Sequence, residues 1–166
     1  MAQRAFARTA QRPAHRRSDR RGTTRMTRCV LDCSLTMCWC FADEATPDRT
    51  ELLRVLSAGA ILVPKLWRIE VANVLCVAER RGRIDRRDAA AFLEMLTVLP
   101  IEDDASDAAA VNRALELARI AQLSVYDAMY LELAVRSGTP LATADRRLAA
   151  AAASLGCAIL PNTGTT

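Results

Sequence analysis

The 166-residue sequence predicts an α/β domain built on a parallel sheet that is covered by helices on both faces. Three observations carry that expectation. Short apolar runs bounded by turn residues recur along the chain, as strands buried on both faces require. Amphipathic stretches with recognisable start and stop residues separate them. The length suits one sizeable core, and no internal repeat or linker-like stretch divides the body.

Taken in order, the first strand is Cys29-Val30-Leu31, followed by Asp32-Cys33-Ser34. The second is Ile61-Leu62-Val63, ended by Pro64. A helix follows Pro64 and stops near Gly82, since proline presets the first helical turn and glycine tolerates the left-handed conformation that ends one. Asp85 opens another helix, running toward Thr97. Leu99-Pro100-Ile101 is the shortest strand signal. Asp104 or Ser106 caps a helix extending to about Ile120, and Ser124 starts the next, which Gly138 stops. Pro140-Leu141-Ala142-Thr143 is a late strand. Asp145 starts the last helix, Gly156 ends it, and Cys157-Ala158-Ile159-Leu160 is the final strand.

The charge is unevenly placed. Twenty-three basic residues against 19 acidic ones give +4, a balance that first points to nucleic acid. Residues 1–25 hold eight arginines and one acid, Asp19, a balance of +7, so the remainder carries −3. The basic excess belongs to a tail, expected to be a disordered arm or an over-long start ahead of Met26, and residues 26–166 are expected to form the domain. The tail lacks the apolar run of a secretory signal. The longest nearly apolar stretch, residues 148–160, is too short to span a bilayer, so a cytoplasmic protein without membrane segments is expected.

Other classes drop out on composition. Aromatics make up 4% of the chain, too few for rows of base-stacking Phe and Tyr. Cys29, Cys33, Cys38, Cys40, Cys76 and Cys157 lack C-x2-C pairs, and the only histidine, His15, lies in the tail, so no zinc site is expected. The cysteines read as reduced thiols, mostly small buried hydrophobes. No G-x-G-x-x-G or G-x4-G-K-[ST] is present, which removes nucleotide-cofactor enzymes.

Four carboxylates stand in awkward places. Asp32 directly follows the first strand. Glu70 interrupts a stripe of Leu66, Val74 and Val77, with Asn73 one turn on, and a buried carboxylate needs a cation, a metal or strong donors. Asp127 closes Ser124-Val125-Tyr126-Asp127, a capping pattern, and Asp145 lies where a strand passes into a helix. Capping alone accounts for Asp32, Asp127 or Asp145 singly, and an arginine such as Arg68 accounts for Glu70. As a set, however, three of the four fall at strand ends or helix starts, where open α/β sheets form their ligand crevice. Converging acids repel unless divalent cations neutralise them, and all-oxygen ligands suit Mg2+ or Mn2+. Such a set serves metal-assisted phosphodiester hydrolysis.

Four segments then carry a family resemblance: Val30-Leu31-Asp32-Cys33-Ser34 with a Trp39 and Phe41 helix ending in Asp43-Glu44; Pro64-x-Leu66-x3-Glu70-Val71-Ala72-Asn73; Ser124-Val125-Tyr126-Asp127-Ala128-x-Tyr130; and Leu141-x-Thr143-x-Asp145-x2-Leu148. In this order, over residues 28–160, they resemble the PIN-domain ribonucleases, specifically the VapC-type toxins of bacterial toxin–antitoxin pairs. The resemblance implies a three-layer α/β/α fold with a parallel sheet of about five strands. It implies an RNA substrate, a Mg2+ or Mn2+ cofactor, a homodimer and a small VapB-type antitoxin as partner. It further implies Asp32, Glu70, Asp127 and Asp145 as metal-binding acids, with Ser34 and Thr143 as supporting hydroxyls. Cys33, Cys38 and Cys40 depart from the family's small or aliphatic residues around the first motif, and the family does not require the Arg-rich tail.

On this reading Asp32 and Asp145 are the most direct metal ligands, with Glu70 and Asp127 binding metal or positioning water. Arg146 and Arg147 are candidates for holding the RNA backbone, or else solvated charges on the last helix. The rival from another class is a non-catalytic binding module of PIN-like fold whose acids are caps and salt bridges. A receiver-type phosphoryl-transfer domain fits poorly, because the only lysine is Lys65 and the opening is not D-x-D.

Overall fold

Runs of four or five residues such as Arg28–Leu31 and Ala60–Pro64 lose almost all exposure beyond their first residue, which is the burial of a strand covered on both sides. The computed structural model describes residues 28–161, so the expectations for residues 1–25 lie outside the described part. Five strands, β1 (Arg28–Leu31), β2 (Ala60–Pro64), β3 (Ile101–Asp104), β4 (Leu141–Ala142) and β5 (Ile159–Leu160), pair in parallel in the order β3-β2-β1-β4-β5. Seven helices accompany them: α1 (Cys33–Met37), α2 (Pro47–Leu56), α3 (Leu66–Arg80), α4 (Arg86–Thr97), α5 (Ala108–Ala121), α6 (Val125–Ser137) and α7 (Arg146–Ser154).

The chain winds from β1 outward to β3, then returns across the sheet to β4 and β5. Right-handed crossovers therefore put α1–α4 on one face and α5–α7 on the other, giving the three-layer α/β/α arrangement. The winding direction reverses beside β1. Register places Val30 opposite Leu141 and Leu31 opposite Ala142, so Asp32 and Thr143 emerge as neighbours at the carboxyl ends of adjacent strands. Behind them the buried Thr36 hydroxyl donates to the Asp32 carbonyl at 3.0 Å and accepts from the Trp67 indole N–H at 3.0 Å. This ties α1 and α3 to the end of β1.

Several sequence expectations shift. The first helix stops at Met37 and turns carry the chain through Trp39, Phe41 and Glu44. Thr46 then caps α2, with Pro47 at its first position, a helix the sequence reading did not assign. The third strand begins at Ile101 rather than Leu99, because only from Ile61↔Ile101 onward does it find β2 to pair with. Pairing draws Asp104 into that strand, and Asp107 caps α5 instead of Asp104 or Ser106. On α3 the fully buried stripe is Trp67, Val71, Leu75 and Ala78; the stripe of Leu66, Glu70, Val74 and Val77 is half-buried and Asn73 is exposed. All six cysteines are free, but Cys76 is exposed rather than buried. Among the described residues no helix is long and apolar enough to cross a membrane.

Glu132 on α6 is a buried carboxylate, 2% exposed. Arg113 donates to it at 2.8 Å and Arg136 at 2.9 Å, and Arg136 continues to Asp104 at 2.8 Å. The network clamps α6 to α5 and to the end of β3. Arg136→Met keeps most of the side-chain volume while removing charge-assisted bonds from a buried carboxylate, so a loss of about 2 kcal/mol is expected. A shift of the urea midpoint at unchanged slope measures it.

Candidate active site

A cleft of about 680 Å3 opens where the winding reverses, and Asp32, Glu70, Asp127 and Asp145 all line it. They arrive from four separate elements: the end of β1, the second turn of α3, the first turn of α6 and the cap of α7. Ser34 lines the cleft as well, and the buried Thr143 stands directly behind it.

Asp32 occupies the N-cap position of α1, but its side chain does not cap the helix. It accepts instead from two hydroxyls that converge on Oδ2, Ser34 Oγ and, at 2.7 Å, Thr143 Oγ1. Ala144 N–H donates to Ser34 Oγ and Asp145 N–H to Thr143 Oγ1, both at 3.0 Å, and the two hydroxyls lie 3.2 Å apart, so the bond to Asp32 is the shorter use of each hydroxyl's single proton. The turn after β4 thus aims two donors at a carboxylate that is 4% exposed.

Among the described residues Glu70 has no arginine partner; Arg68 forms its ion pair with Asp103 at 3.0 Å. The Tyr130 hydroxyl donates to Glu70 Oε2. Sequence reasoning gave Tyr130 no role, although its spacing three residues after Asp127 places both on one face of α6. Asp127 both takes and gives within a capping box: its N–H donates to Ser124 Oγ at 3.0 Å and its Oδ2 accepts from that hydroxyl at 2.7 Å. Asp145 caps α7 through Oδ1, which accepts from the N–H groups of Arg147 and Leu148 at 2.7 and 2.9 Å. Each acid therefore commits one oxygen. The other oxygen of each takes no side-chain hydrogen bond among the described residues.

The electrostatics follow from this crowding. Burial pushes Asp32 above the ordinary aspartate value, the bonds from Ser34 and Thr143 pull it back, and the charge of Asp127 raises it further. Burial likewise raises Glu70, against the bond from Tyr130 and with the charges of Asp32 and Asp127. Burial and the adjacent Glu70 raise the Tyr130 phenol, which stays a donor. Burial, with the charges of Glu70 and Asp32, pushes the Cys33 thiol up to about 12, so in the metal-free cleft it is a neutral part of the wall.

The donor set fits a hard divalent cation. Among the described residues no three His, Cys, Asp or Glu side chains stand close enough to enclose one ion. Spread carboxylate oxygens suit Mg2+, which takes one or two carboxylates and keeps several waters, and do not suit a closed zinc cage.

The model of the PIN domain family matches residues 36–154. The chain belongs to the PIN-domain family. Among solved structures, PAE2754 from Pyrobaculum aerophilum is 27% identical with a TM-score of 0.59, the match covering 81% of this chain and 83% of that one. VapC20 of Mycobacterium tuberculosis, described as a sarcin–ricin loop-cleaving toxin, shares the fold at 16% identity and a TM-score of 0.55, covering 74% of this chain and 94% of its own. No curated protein matches significantly.

The PIN domain's raised carboxylates set a direction with pH. In the metal-free fold Asp32 and Glu70 hold protons at pH values where the unfolded chain has released them, so the stability they contribute is present below the ordinary carboxylate values and is lost as pH rises through the raised ones. With chelator present, Asp32→Asn and Glu70→Gln are each expected to gain melting temperature relative to the wild type as pH rises from about 4 to 7. Differential scanning across that range checks it; parallel profiles would assign the effect to other groups.

Proposed function

We propose that this PIN domain is a Mg2+- or Mn2+-dependent ribonuclease, the toxin of a VapBC-type pair, acting in the cytoplasm as a homodimer and neutralised by a VapB-type antitoxin. The observation that carries the reading is the convergence of four carboxylates from four elements on one cleft, each with one oxygen fixed and the other free of side-chain bonds. Likeness in fold to a toxin that cleaves an RNA loop supports RNA as the substrate class.

Asp32 and Asp145, with Glu70 and Asp127 beside them, would hold a divalent cation, which would supply an activated water and charge neutralisation at the phosphate. The chain's own residues do the remaining work. Ser34 and Thr143 orient Asp32 and favour its ionised form against burial, since both hydroxyls donate to Oδ2. Tyr130 holds Glu70 in one rotamer, and the Ser124 hydroxyl does the same for Asp127. Ser34 and Thr143 therefore act on the carboxylate and not on the substrate.

Asp32→Asn is expected to abolish Mg2+-dependent RNA cleavage and growth inhibition while the far-UV circular dichroism and melting transition remain those of a folded domain. Retained cleavage in that variant would sink the assignment. Thr143→Val removes one of the two donors and is expected to cost about 10- to 100-fold in activity or metal affinity. Glu70→Gln is expected to shrink the rise in melting temperature on adding Mn2+. A wild-type protein whose melting temperature ignores both metals and which cuts no RNA would be a binding module, its acids serving as caps.

A further inference from the structure

Besides the four acids, the charged side chains that line the cleft are Arg49, Arg83 and Glu44. Arg83 lies in the turn after α3, its guanidinium 3.7 Å from the centroid of the Phe41 ring. It donates to Asp43 at 2.8 and 2.9 Å and to Glu44 at 2.7 Å, and all three bonds use a single nitrogen, Nη2. Nε and Nη1 make no hydrogen bond among the described residues. Arg49, on α2, donates through Nη1 to the Glu44 carbonyl at 2.6 Å, and its own carbonyl accepts from the Trp39 indole at 2.9 Å. Both guanidinium groups are thus anchored by one corner, with most of their donors unspent. Arg146 and Arg147 stand outside the cleft, and Arg147 donates to the Gln122 carbonyl at 2.6 Å.

We infer that Arg83 and Arg49 form the phosphate-holding side of the cleft, with Arg83 parked on Asp43 and Glu44 until an RNA phosphate takes its free edge. The inference rests on the ribonuclease reading for its ligand. A planar fork matches two phosphate oxygens, and Phe41 presets the plane of that fork on Arg83. The parking contacts are weak enough to exchange: the Arg83 side chain is 40% exposed and that of Asp43 is 71% exposed, so water screens the pair. Of the two parking carboxylates Glu44 lines the cleft and Asp43 does not, so Asp43 can be changed without altering the cleft lining.

The test is binding of a mixed-sequence single-stranded RNA to the full chain, followed by fluorescence anisotropy in chelator over a range of salt. The Arg-rich residues 1–25 add the same contribution to every variant, so differences between variants report the cleft. Arg83→Ala and Arg49→Ala are each expected to weaken binding several-fold at low salt and to reduce the slope of log K against log salt by about 0.7. Asp43→Asn is expected to tighten binding, and the gain should vanish in the Arg83→Ala background. An unchanged slope in Arg83→Ala, with only the melting temperature lowered, overturns the inference and leaves Arg83 a structural tie. A gain from Asp43→Asn that persists without Arg83 also overturns it, as does a wild type with no affinity for RNA. Arginine-dependent binding by a wild type that cuts no RNA with Mn2+ supports the phosphate grip and overturns the nuclease reading alone.

Discussion

The two hydroxyl protons aimed at Asp32 Oδ2 are the constraint on which the rest of the site depends. Both hydroxyls accept from the amides of Ala144 and Asp145, and those amides are placed by the pairing of β4 with β1. Side chains alternate along a strand, so a one-residue slip of β4 would carry Thr143 to the opposite face and leave a buried carboxylate without its donor. Sheet register and site geometry are therefore one problem for this chain. Thr36 and Trp67 fasten the other side of the same junction.

The site also opposes the fold that holds it. Asp32 and Glu70 are raised by burial and by neighbouring acids, which places like charges together in a region with little water. A core of Val30, Leu31, Leu131, Leu141 and other fully buried side chains offsets that repulsion, and no buried side-chain polar atom among the described residues lacks a partner. The tension is localised where a cation relieves it.

What was legible in the sequence was what local chemistry decides. Asp85, Ser124 and Asp145 cap the helices they were expected to cap, and Gly138 ends α6 in the left-handed conformation at φ 62°. The central strands were legible because they are apolar on both faces. The edge strand was not: β3 reads Ile-Glu-Asp-Asp, and only its ladder to β2 makes it a strand. Pairing likewise decided which of several capping residues starts α5. The four acids could be singled out from strand ends and one interrupted stripe; spacing also puts Tyr130 on the Asp127 face of α6, but its bond to Glu70 and the place of Arg83 in the cleft come from packing between elements that spacing does not encode. The burial of Glu132 was not legible either, since one of its partners, Arg113, comes from a different helix, and both arginines keep their outer parts exposed.

The same β3 governs how copies of this domain meet. An open sheet edge invites another strand, yet here one margin presents Glu102, Asp103 and Asp104, and the other, β5, is only two residues long. At the first margin those carboxylates are held in ion pairs by Arg28, Arg68 and Arg136, so an added strand meets a row of charged side chains, and at the second it finds a ladder of only two residues among the described ones. The sheet is closed to growth at both ends without being a barrel. Edge-to-edge addition of a further strand is thereby disfavoured at both margins.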